Sequence, residues 1–416
     1  MIQAPKGTFD VLPDDFARRE TLESHARRIL GAAGYGRIET PAFEATELFT
    51  RGVGEATDIV RKEMYTFDDG GGRSLTLRPE GTAPICRAYL EHGMHRLPQP
   101  VKLWYLSSFF RSESPQRGRY RQFWQVGVEA IGSERPESDA EVVLLLAELL
   151  EACGITKTRL LLSSLGTADT RAAYREELAA YLRAHQESVS PEVAARIDLN
   201  PMRAFDAKDH ATREVMKAAP TLLDRLGPDD TEHFHRVREL LDDAGLRYEI
   251  DPTLVRGLDY YTRTVFEFTS DALEAAQSTL GGGGRYDGLV EALGGQPTPA
   301  CGWAAGVERM LMAAELPVAV PLTDLFVALD DAADPRTAFA LARESRRAGL
   351  HTQLELAGRS LKGQLRHADR LSARYVAIVG DGPDAPVSLR DMASGEQLET
   401  AVQNVIPTIL RSSRLA

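Results

Sequence analysis

The sequence predicts a mixed α/β fold, with an antiparallel α+β arrangement in its first part and an α/β domain at its C-terminal end. Three observations support this prediction. Two apolar, β-rich stretches flank an arginine-rich loop, a region rich in Ala, Leu, Glu and Arg interrupts the middle of the chain, and the tail alternates strand-like with helix-like stretches. Alternation of this last kind is typical of a largely parallel sheet covered by helices.

The first elements are a helix, a strand–turn–helix unit and a hairpin. Residues 15–34 have the amphipathic pattern of a helix, with glycines at its end. The stretch LTLRPEGTAPICRAYLEH (75–92) indicates a strand, a turn and a helix. VKLWYLSSFFR (101–111) and QFWQVGVEAIG (122–132) are both strand-like, and we expect them to pair as a long antiparallel hairpin.

A helical region and further strands follow the hairpin. Residues 170–245 have few β-branched runs, so we expect a mostly helical insertion there. TVFEFT (264–269) and CGWAAGVERMLMAAE (301–315) restore a strand-then-helix pattern. The stretch GGGGRYDGLVEALGG (281–295) lacks the GK[ST] of a P-loop and, taken alone, indicates a flexible turn.

The tail has its own regular pattern. Three strand-like stretches alternate with two helical ones, which predicts an α/β domain with a largely parallel core sheet. The strands are DLFVALD (324–330), TQLEL (352–356) and YVAIVG (375–380), and the helices cover 336–348 and 360–371. VSLRDMASGEQLET (387–400) resembles a closing hairpin with Gly395 in its turn.

Composition and charge limit the class of protein. The chain of 416 residues has 61 acidic and 49 basic side chains, a net charge of −12 that argues against indiscriminate nucleic-acid binding. No apolar run approaches the roughly 20 residues of a membrane span, and the N-terminus has no apolar signal core. We therefore expect a cytoplasmic protein without membrane contact. The three cysteines are far apart, so no disulfide framework or zinc site is expected.

The loop between the hairpin strands is the first candidate site. It places Arg111, Arg117, Arg119 and Arg121 within eleven residues. Guanidinium groups stay charged and suit phosphate oxygens. The residues alone leave two interpretations open, a phosphate-binding loop and a solvated hairpin tip.

Other candidates are weaker when taken singly. Tyr260 and Tyr261 follow Arg256 at the entry to a strand, where an aromatic pair can simply pack. Arg309 in AAGVERM can be a surface charge. The basic stripe of the tail helix is either a solvated face or a nucleic-acid contact. Its members are Arg359, Lys362, Arg366, Arg370 and Arg374.

Metal binding has little support in the sequence. His92 and His95 are three residues apart, a spacing that metal ligands can have. No further cluster of ligands supports them, so no metal site built from protein side chains is predicted.

The order of the motifs is more informative than any one of them. The chain contains, in sequence, RPEGT (78–82), an FR followed by GRYRQFWQVGVE (118–129), VRGLDYYTRTVFE (255–267), GGGGRYDGL (281–289) and GWAAGVERM (302–310). This order resembles that of the class II histidyl-tRNA synthetase family over essentially the whole chain. AGYGRIETPAFEATELF (33–49) resembles the first class II motif, the hairpin the second and AAGVERM the third.

The resemblance implies a domain organisation. A class II catalytic domain with an antiparallel sheet would occupy residues 1–169, with motifs 1 and 2, and residues 246–320, with the histidine motifs and motif 3. Residues 170–245 would form a helical insertion, and 321–416 an α/β anticodon-binding domain. A homodimer is also implied, since the first motif is a dimer-interface element in this class.

The resemblance further implies an activity, the ATP-dependent ligation of L-histidine to tRNA-His through a histidyl-adenylate, with Mg²⁺ on the ATP phosphates. Arg111, Arg256 and Arg309 would be the catalytic arginines that contact the phosphates. Arg119 and Tyr120 would lie beside the nucleotide. Fixed cations suit a reaction in which a carboxylate attacks a triphosphate.

Histidine and tRNA would be bound by other residues of the same motifs. The implied histidine-binding set is Glu80, Thr82, Gln125, Glu129, Tyr260, Tyr261 and Tyr286. Glu80 and Thr82 resemble the pair that binds the substrate ammonium. Glu129, with Tyr261 and Tyr286, would contact the imidazole nitrogens. Gln116 and Arg117 would approach the tRNA acceptor end.

Two other functions compete with this interpretation. The regulatory subunit of ATP phosphoribosyltransferase is a non-catalytic relative with the same catalytic-domain fold, which generally lacks the anticodon-binding domain. A class II synthetase for threonine or proline is the second alternative. It is disfavoured by RGLDYYTRTVFEF (256–268) and by the acidic Glu129.

Overall fold

The computed structural model describes residues 2–54, 57–207, 209–254, 258–273, 278–316, 323–331, 333–382 and 385–413. The chain forms two compact units, Met1–Val318 and Ala319–Ala416. No described helix combines the length and the apolar character that a membrane span requires.

The helices and strands of the described residues are numbered in chain order. The helices α1 to α13 are Pro13–Ala32, Thr46–Val53, Thr82–Glu91, Pro136–Ala152, Ala168–Ala184, Pro191–Ala194, His210–Met216, Pro228–Asp243, Leu289–Ala292, Val307–Ala313, Pro335–Arg347, Leu361–Arg370 and Val402–Ser413. The strands β1 to β16 are Gly36–Arg37, Phe43–Ala45, Tyr65–Asp68, Ser74–Leu77, Val101–Phe110, Gln122–Ile131, Thr158–Ser164, Glu249–Ile250, Thr262–Ser270, Thr279–Arg285, Ala300–Gly306, Leu325–Leu329, Thr352–Leu354, Tyr375–Val379, Val387–Asp391 and Gln397–Thr400.

A large sheet dominates the first unit. Within the described ranges its strand order is β1-β5-β6-β11-β10-β9-β7-β8. The pairs from β5 to β7 are antiparallel, and only the short outer strands β1 and β8 run parallel to their neighbours. The predicted hairpin is confirmed, with β5 and β6 paired from Val101 opposite Ile131 to Phe110 opposite Gln122.

The two faces of the large sheet carry different cores. On one face, α1, α4 and α8 bury Leu22, Leu146 and Val237 against the strands. On the other face, α3 and α5 bury Ile85 and Leu178. Because the first face is closed by long helices, the second face is left to hold a binding pocket.

The glycine run corrects one prediction. Gly281 to Arg285, expected to be part of a flexible turn, form the central strand β10 between β9 and β11. A Cβ on Gly283 would lie 1.9 Å from the carbonyl oxygen of Gly302, and one on Gly281 would lie 2.5 Å from the Cβ of Ala305. The glycines are therefore required by close strand packing, and conformational freedom is not their main role.

A smaller sheet in the same unit has an exposed apolar face. Its described strands are ordered β2-β4-β3. The rings of Phe43 and Phe67 lie 6.3 Å apart and are 50% and 43% exposed. On the opposite face, the hydroxyl groups of Thr46, Thr66 and Thr76 are bonded to one another.

Helices fill the region after β7. The described residues between 168 and 243 contain α5 to α8 and short 3₁₀ turns, and no strand. The expected limits of an insertion at residues 170 and 245 stay a prediction.

The second unit is an α/β unit in which helices pack against a sheet, as predicted. Its described strands are ordered β13-β12-β14-β15-β16, with β13, β12 and β14 parallel and the β15–β16 hairpin antiparallel. The helix α13 was not predicted. It contains Pro407, a residue that normally interrupts a helical pattern.

A buried ion pair joins α4 to β10. Arg285 is fully buried and pairs with Asp139, which is 1% exposed. The guanidinium also donates to the carbonyl of Ser133 at 2.8 Å and to Asp287 at 3.1 Å. Every charge of the pair is thus compensated where water does not reach, so the loss of one partner should be costly.

We predict that Arg285→Met lowers the free energy of unfolding of the first unit by about 3–5 kcal/mol, because the buried Asp139 loses its arginine partner and is left beside His233, 3.3 Å away. Arg135→Ala, which removes the exposed pair with Glu137, is the matched control and should have a much smaller effect. Urea unfolding followed by tryptophan fluorescence measures both, since all three tryptophans lie in the first unit. Equal losses in the two variants would contradict the prediction.

Candidate active site

The candidate active site is a cavity of about 270 Å³ on the open face of the large sheet. Its walls come from the β5–β6 hairpin, the start of α3, the strands β10 and β11, and α10. Among the described residues, nine of the predicted site residues line it. They are Glu80, Thr82, Arg111, Arg119, Tyr120, Gln125, Tyr260, Tyr261 and Arg309.

Two arginines enter this cavity from different elements. Arg111 follows β5, and its Nε donates to the carbonyl of Pro79 at 2.9 Å. Arg309 is on α10, and it donates from Nε to the carbonyl of Gly118 and from Nη1 to that of Thr279, both at 2.9 Å. These acceptors are neutral, and neither guanidinium has an ion pair with another described residue.

Acidic side chains act on these two cations without a direct ion pair. They are Glu113 and Glu267 for Arg309, and Glu63 and Glu80 for Arg111. Burial, together with the neighbouring charges of Arg119 and Arg111, lowers the pKa of the Arg309 guanidinium. The Arg111 guanidinium lies 5.3 Å from the centre of the Phe123 ring, on the cavity wall. An anion that entered the cavity would meet both cations with their backbone anchors already formed.

The other arginines of the hairpin loop have separate roles. Arg119 lines the cavity and pairs with Glu113 at 3.0 Å. Gln116 and Arg117 are exposed at the loop tip and are not among the residues that line the cavity. Arg121 does not line the cavity, and its guanidinium donates to the carbonyls of Glu113 and Lys6 at 3.2 and 3.4 Å. The arginine cluster of the sequence is thus not a single site.

Glu129 and Tyr286, two of the predicted site residues, do not line the cavity but lie behind its wall residue Thr82. Glu129 is 1% exposed and accepts hydrogen bonds from the hydroxyl groups of Thr82, at 2.9 Å, and of Tyr286. Glu80 accepts from the backbone N–H groups of Thr82 and Ala83 at the first turn of α3. Burial, with a further contribution from Glu80, raises the pKa of the Glu129 carboxyl to about 8.

Three tyrosines surround this carboxylate. The ring centre of Tyr260 lies 4.8 Å from that of Tyr261 and 5.6 Å from that of Tyr286. Burial raises the pKa of the Tyr260 and Tyr286 hydroxyls well above their usual value. The tyrosines therefore stay neutral and present apolar ring faces with hydroxyl groups at the edge. A pocket lined in this way suits a small planar ring with polar nitrogens.

Two buried polar atoms in the cavity wall have no hydrogen-bond partner among the described residues. They are the Oε1 of Gln125 and the hydroxyl of Tyr105. Sequence analysis missed Tyr105, although its register could have indicated it. Tyr105 lies opposite Gly127, so it shares a strand face with Gln125 and Glu129. Unpaired buried groups of this kind are costly unless a ligand satisfies them.

Some predicted residues cannot be placed in the cavity. Arg256 lies outside the described residues. His95 packs on the ring of Tyr89 at 6.4 Å, and within the described part of the chain no group of three or more potential metal ligands occurs. Phe123, Glu113 and Glu308, which line the cavity, were also missed by the sequence analysis.

Known proteins resemble this chain along its whole length. Residues 7–310 match the family model of histidyl-tRNA synthetase, and residues 324–412 match that of the anticodon binding domain. The histidine–tRNA ligase of Thermosynechococcus vestitus is 46% identical over 415 residues, covering 99% of this chain and 97% of the relative. The histidine–tRNA ligase of Desulforudis audaxviator is 46% identical over 422 residues, covering 100% of both chains.

A solved structure shows the same fold. The crystal structure of apo S. aureus histidyl-tRNA synthetase has a TM-score of 0.81 and 35% identity, and covers 98% of this chain and 100% of that one. The antiparallel sheet, the arginine-lined cavity and the second α/β unit define a class II aminoacyl-tRNA synthetase. Within that class, the chain belongs to the histidyl-tRNA synthetase family.

We predict a specific pH dependence from Glu129. Its folded-state pKa of about 8 exceeds that of an unfolded glutamate, about 4.3. The folded state therefore binds more protons between these values, and stability should fall as pH rises through this window, by at most about 1.4 kcal/mol per pH unit. Glu129→Gln should lack this contribution, so its stability relative to the unmodified protein should increase with pH.

Thermal unfolding midpoints measured from pH 5 to pH 8 test this prediction. Glu151→Gln, at an exposed position on α4, is the control and should keep the pH dependence of the unmodified protein. Parallel curves for Glu129→Gln and the unmodified protein would show that the carboxyl titrates normally.

Proposed function

We propose that the protein ligates L-histidine to tRNA-His in two steps, with ATP as the energy source and histidyl-adenylate as the intermediate. The observation that carries the proposal is that one cavity holds the guanidinium groups of Arg111 and Arg309, both anchored on neutral backbone carbonyls. A further wall residue, Thr82, is hydrogen-bonded to the buried Glu129. A cationic end suits a triphosphate, and the tyrosine-lined end suits an imidazole. Membership of the histidyl-tRNA synthetase family supports the same conclusion.

In the first step, a carboxylate oxygen of histidine attacks the α-phosphorus of ATP, and the bond to the departing pyrophosphate breaks. Both reactants are anionic, so their approach is opposed by repulsion. Arg111 would hold the α-phosphate beside the carboxylate, Arg256 would contact it from another side, and Arg309 would bind the γ-phosphate end. Arg119 and Tyr120 would lie along the nucleotide. Catalysis then rests on positioning and charge stabilisation.

In the second step, a terminal ribose hydroxyl of the tRNA attacks the carbonyl of the adenylate, and AMP leaves. Gln116 and Arg117 are exposed at the tip of the hairpin loop, beside the cavity wall formed by Gly118 and Arg119. This position would allow them to meet the acceptor end. The second unit would bind the anticodon through its basic helix α12, as its family match suggests.

Selection of histidine would depend on the end of the cavity that is lined by Thr82, Gln125 and Tyr260. The ammonium group would bind Glu80, Thr82 and the unpaired Oε1 of Gln125. The imidazole would lie among Tyr260, Tyr261 and Tyr286, with its nitrogens facing Glu129 and the tyrosine hydroxyls. A site that hydrogen-bonds the polar atoms of a substrate can reject analogues without them by about 10⁴-fold.

Magnesium, brought with ATP, would supply further charge neutralisation to the phosphates. Glu113 lines the cavity beside Arg119, and carboxylate oxygens suit this ion. Glu80 and Glu308 also line the cavity, but their oxygens are engaged by backbone N–H groups. Glu113 therefore fits Mg²⁺ better than these two.

The regulatory subunit of ATP phosphoribosyltransferase is the less supported alternative. That protein generally lacks an anticodon-binding domain, whereas residues 324–412 match one here. The curated relatives described above are also named ligases over the full length of the chain.

A homodimer is part of the proposal. The exposed face of the small sheet, with Phe43 and Phe67, is continuous with the stretch that resembles the first class II motif. A second copy of the chain would cover this apolar face and shield it from water.

Histidine-dependent exchange of labelled pyrophosphate into ATP, followed by charging of a tRNA-His transcript, tests the activity. We predict that Arg309→Ala and Arg111→Ala each reduce exchange by roughly 10²–10³-fold, since each removes a fixed charge from the transferring phosphate. Arg256→Ala should also cripple exchange while the fold stays intact. Arg159→Ala, which removes an exposed arginine of the same unit, is the control. Exchange that does not depend on histidine would refute the proposal.

We predict that the double variant Phe43→Asp, Phe67→Asp is monomeric, because buried carboxylates would oppose an apolar contact between two copies. Light scattering after size-exclusion chromatography measures this as a shift from twice the chain mass of 45.7 kDa to that mass itself. Phe339→Asp, at a 62% exposed phenylalanine of the second unit, should leave the mass unchanged. A dimeric double variant would exclude this face as the interface.

A further inference from the structure

The residues that precede and begin α1 lie against the outer side of the cavity wall. The carbonyl of Gly7 accepts from the backbone N–H of Arg121 at 2.8 Å. The ring of Phe9 lies 4.6 Å from that of Tyr120, which lines the cavity on its other side. The start of the chain is thus attached along the hairpin next to the proposed nucleotide site.

Arg19, in the second turn of α1, contacts residues of β6 and α10, two elements that contribute to the cavity walls. Its guanidinium lies 5.6 Å from the ring of Trp124 on β6 and 5.9 Å from that of Phe9. It also pairs with Glu308 on α10 at 2.7 Å, and the two side chains are 12% and 9% exposed. A largely buried charge pair with cation–π contacts to two rings holds its geometry well.

The side chain of Glu308 accepts a backbone hydrogen bond at the point where the pairing of β6 with β11 ends. The β6–β11 ladder runs as far as Gln125 opposite Gly306. The next backbone donor on β6, the N–H of Trp124, is accepted by the carboxylate of Glu308, with Oε2 at 3.0 Å. A side chain therefore replaces the missing strand carbonyl, and Arg19 fixes that side chain in place.

We infer that Arg19 is a positioning residue for the nucleotide end of the active site, acting through Glu308 and the hairpin. The inference rests on the proposed adenylation reaction. Glu308 immediately precedes Arg309, and Trp124 lies on the same hairpin as Arg119 and Tyr120, so the Arg19 bridge sets the spacing of the proposed ATP contacts.

The proposed histidine contacts have separate anchors. Glu80 is bound to the first turn of α3, and Glu129 is bound to Thr82 and Tyr286. None of these hydrogen bonds involves Arg19 or Glu308. Loss of the bridge should therefore change the use of ATP and leave the use of histidine nearly unaltered.

The test compares Arg19→Ala, Arg19→Lys and the unmodified protein in histidine-dependent pyrophosphate exchange. The dissociation constant of ATP alone is measured by calorimetry. We expect Arg19→Ala to raise the KM and the dissociation constant for ATP by about tenfold, the scale of one lost ion pair with its cation–π contacts, with less than a twofold change in the KM for histidine. Arg19→Lys keeps the charge opposite Glu308 but not the planar guanidinium, and should give an intermediate value.

Arg28→Ala removes an exposed arginine from the same helix and should leave both constants unchanged. Equal increases in the two KM values, or an unchanged ATP constant in Arg19→Ala, would overturn the inference. If Arg19→Ala does not fold, an ATP constant in Arg19→Lys equal to that of the unmodified protein would overturn it as well. Failure of the unmodified protein to catalyse exchange would instead refute the proposed function, and the calorimetric ATP constants would still decide the role of Arg19.

Discussion

Positive charge anchored directly by neutral backbone groups is the constraint on which the site depends. Arg111 and Arg309 are fixed by backbone carbonyls, which orient a guanidinium without neutralising it. A carboxylate in the same position would compete with an entering phosphate, as Glu113 can at Arg119. Since the anchors are formed before any ligand enters, little reorganisation should be needed when charge develops in the reaction. Burial disfavours the charged form of the Arg309 guanidinium and so lowers its pKa. The remaining interactions of the fold must offset this unfavourable burial.

The sheet makes this arrangement possible through its packing. The glycine strand β10 lies so close to β11 that a Cβ on Gly283 would lie 1.9 Å from the Gly302 carbonyl oxygen. Gly281 and Gly282 then form a low floor for the cavity. The helices on the opposite face, with the buried Arg285–Asp139 pair beneath β10, support the floor from below. A polar end at Thr82, backed by the buried Glu129, and a cationic end near Arg309 can therefore share one small cavity.

Much of the fold could be predicted because its signals are local. The hairpin strands and the alternating tail have periodic apolar residues, and both were confirmed. The glycine run was misread because close packing against Gly302 comes from a strand that is distant in sequence. Tyr105 could have been found from the face that it shares with Gln125. Arg19 could not, since its partner Glu308 is 289 positions away and only the folded chain brings them together.

A crystal structure of the protein with histidine and ATP bound tests the central claim most directly. The account predicts that the guanidinium groups of Arg111 and Arg309 contact phosphate oxygens of the same nucleotide at about 2.7–3.2 Å. It also predicts that the imidazole lies against Glu129 and the tyrosines. A nucleotide bound elsewhere, or one that leaves both guanidinium groups on their present carbonyl partners alone, would contradict it.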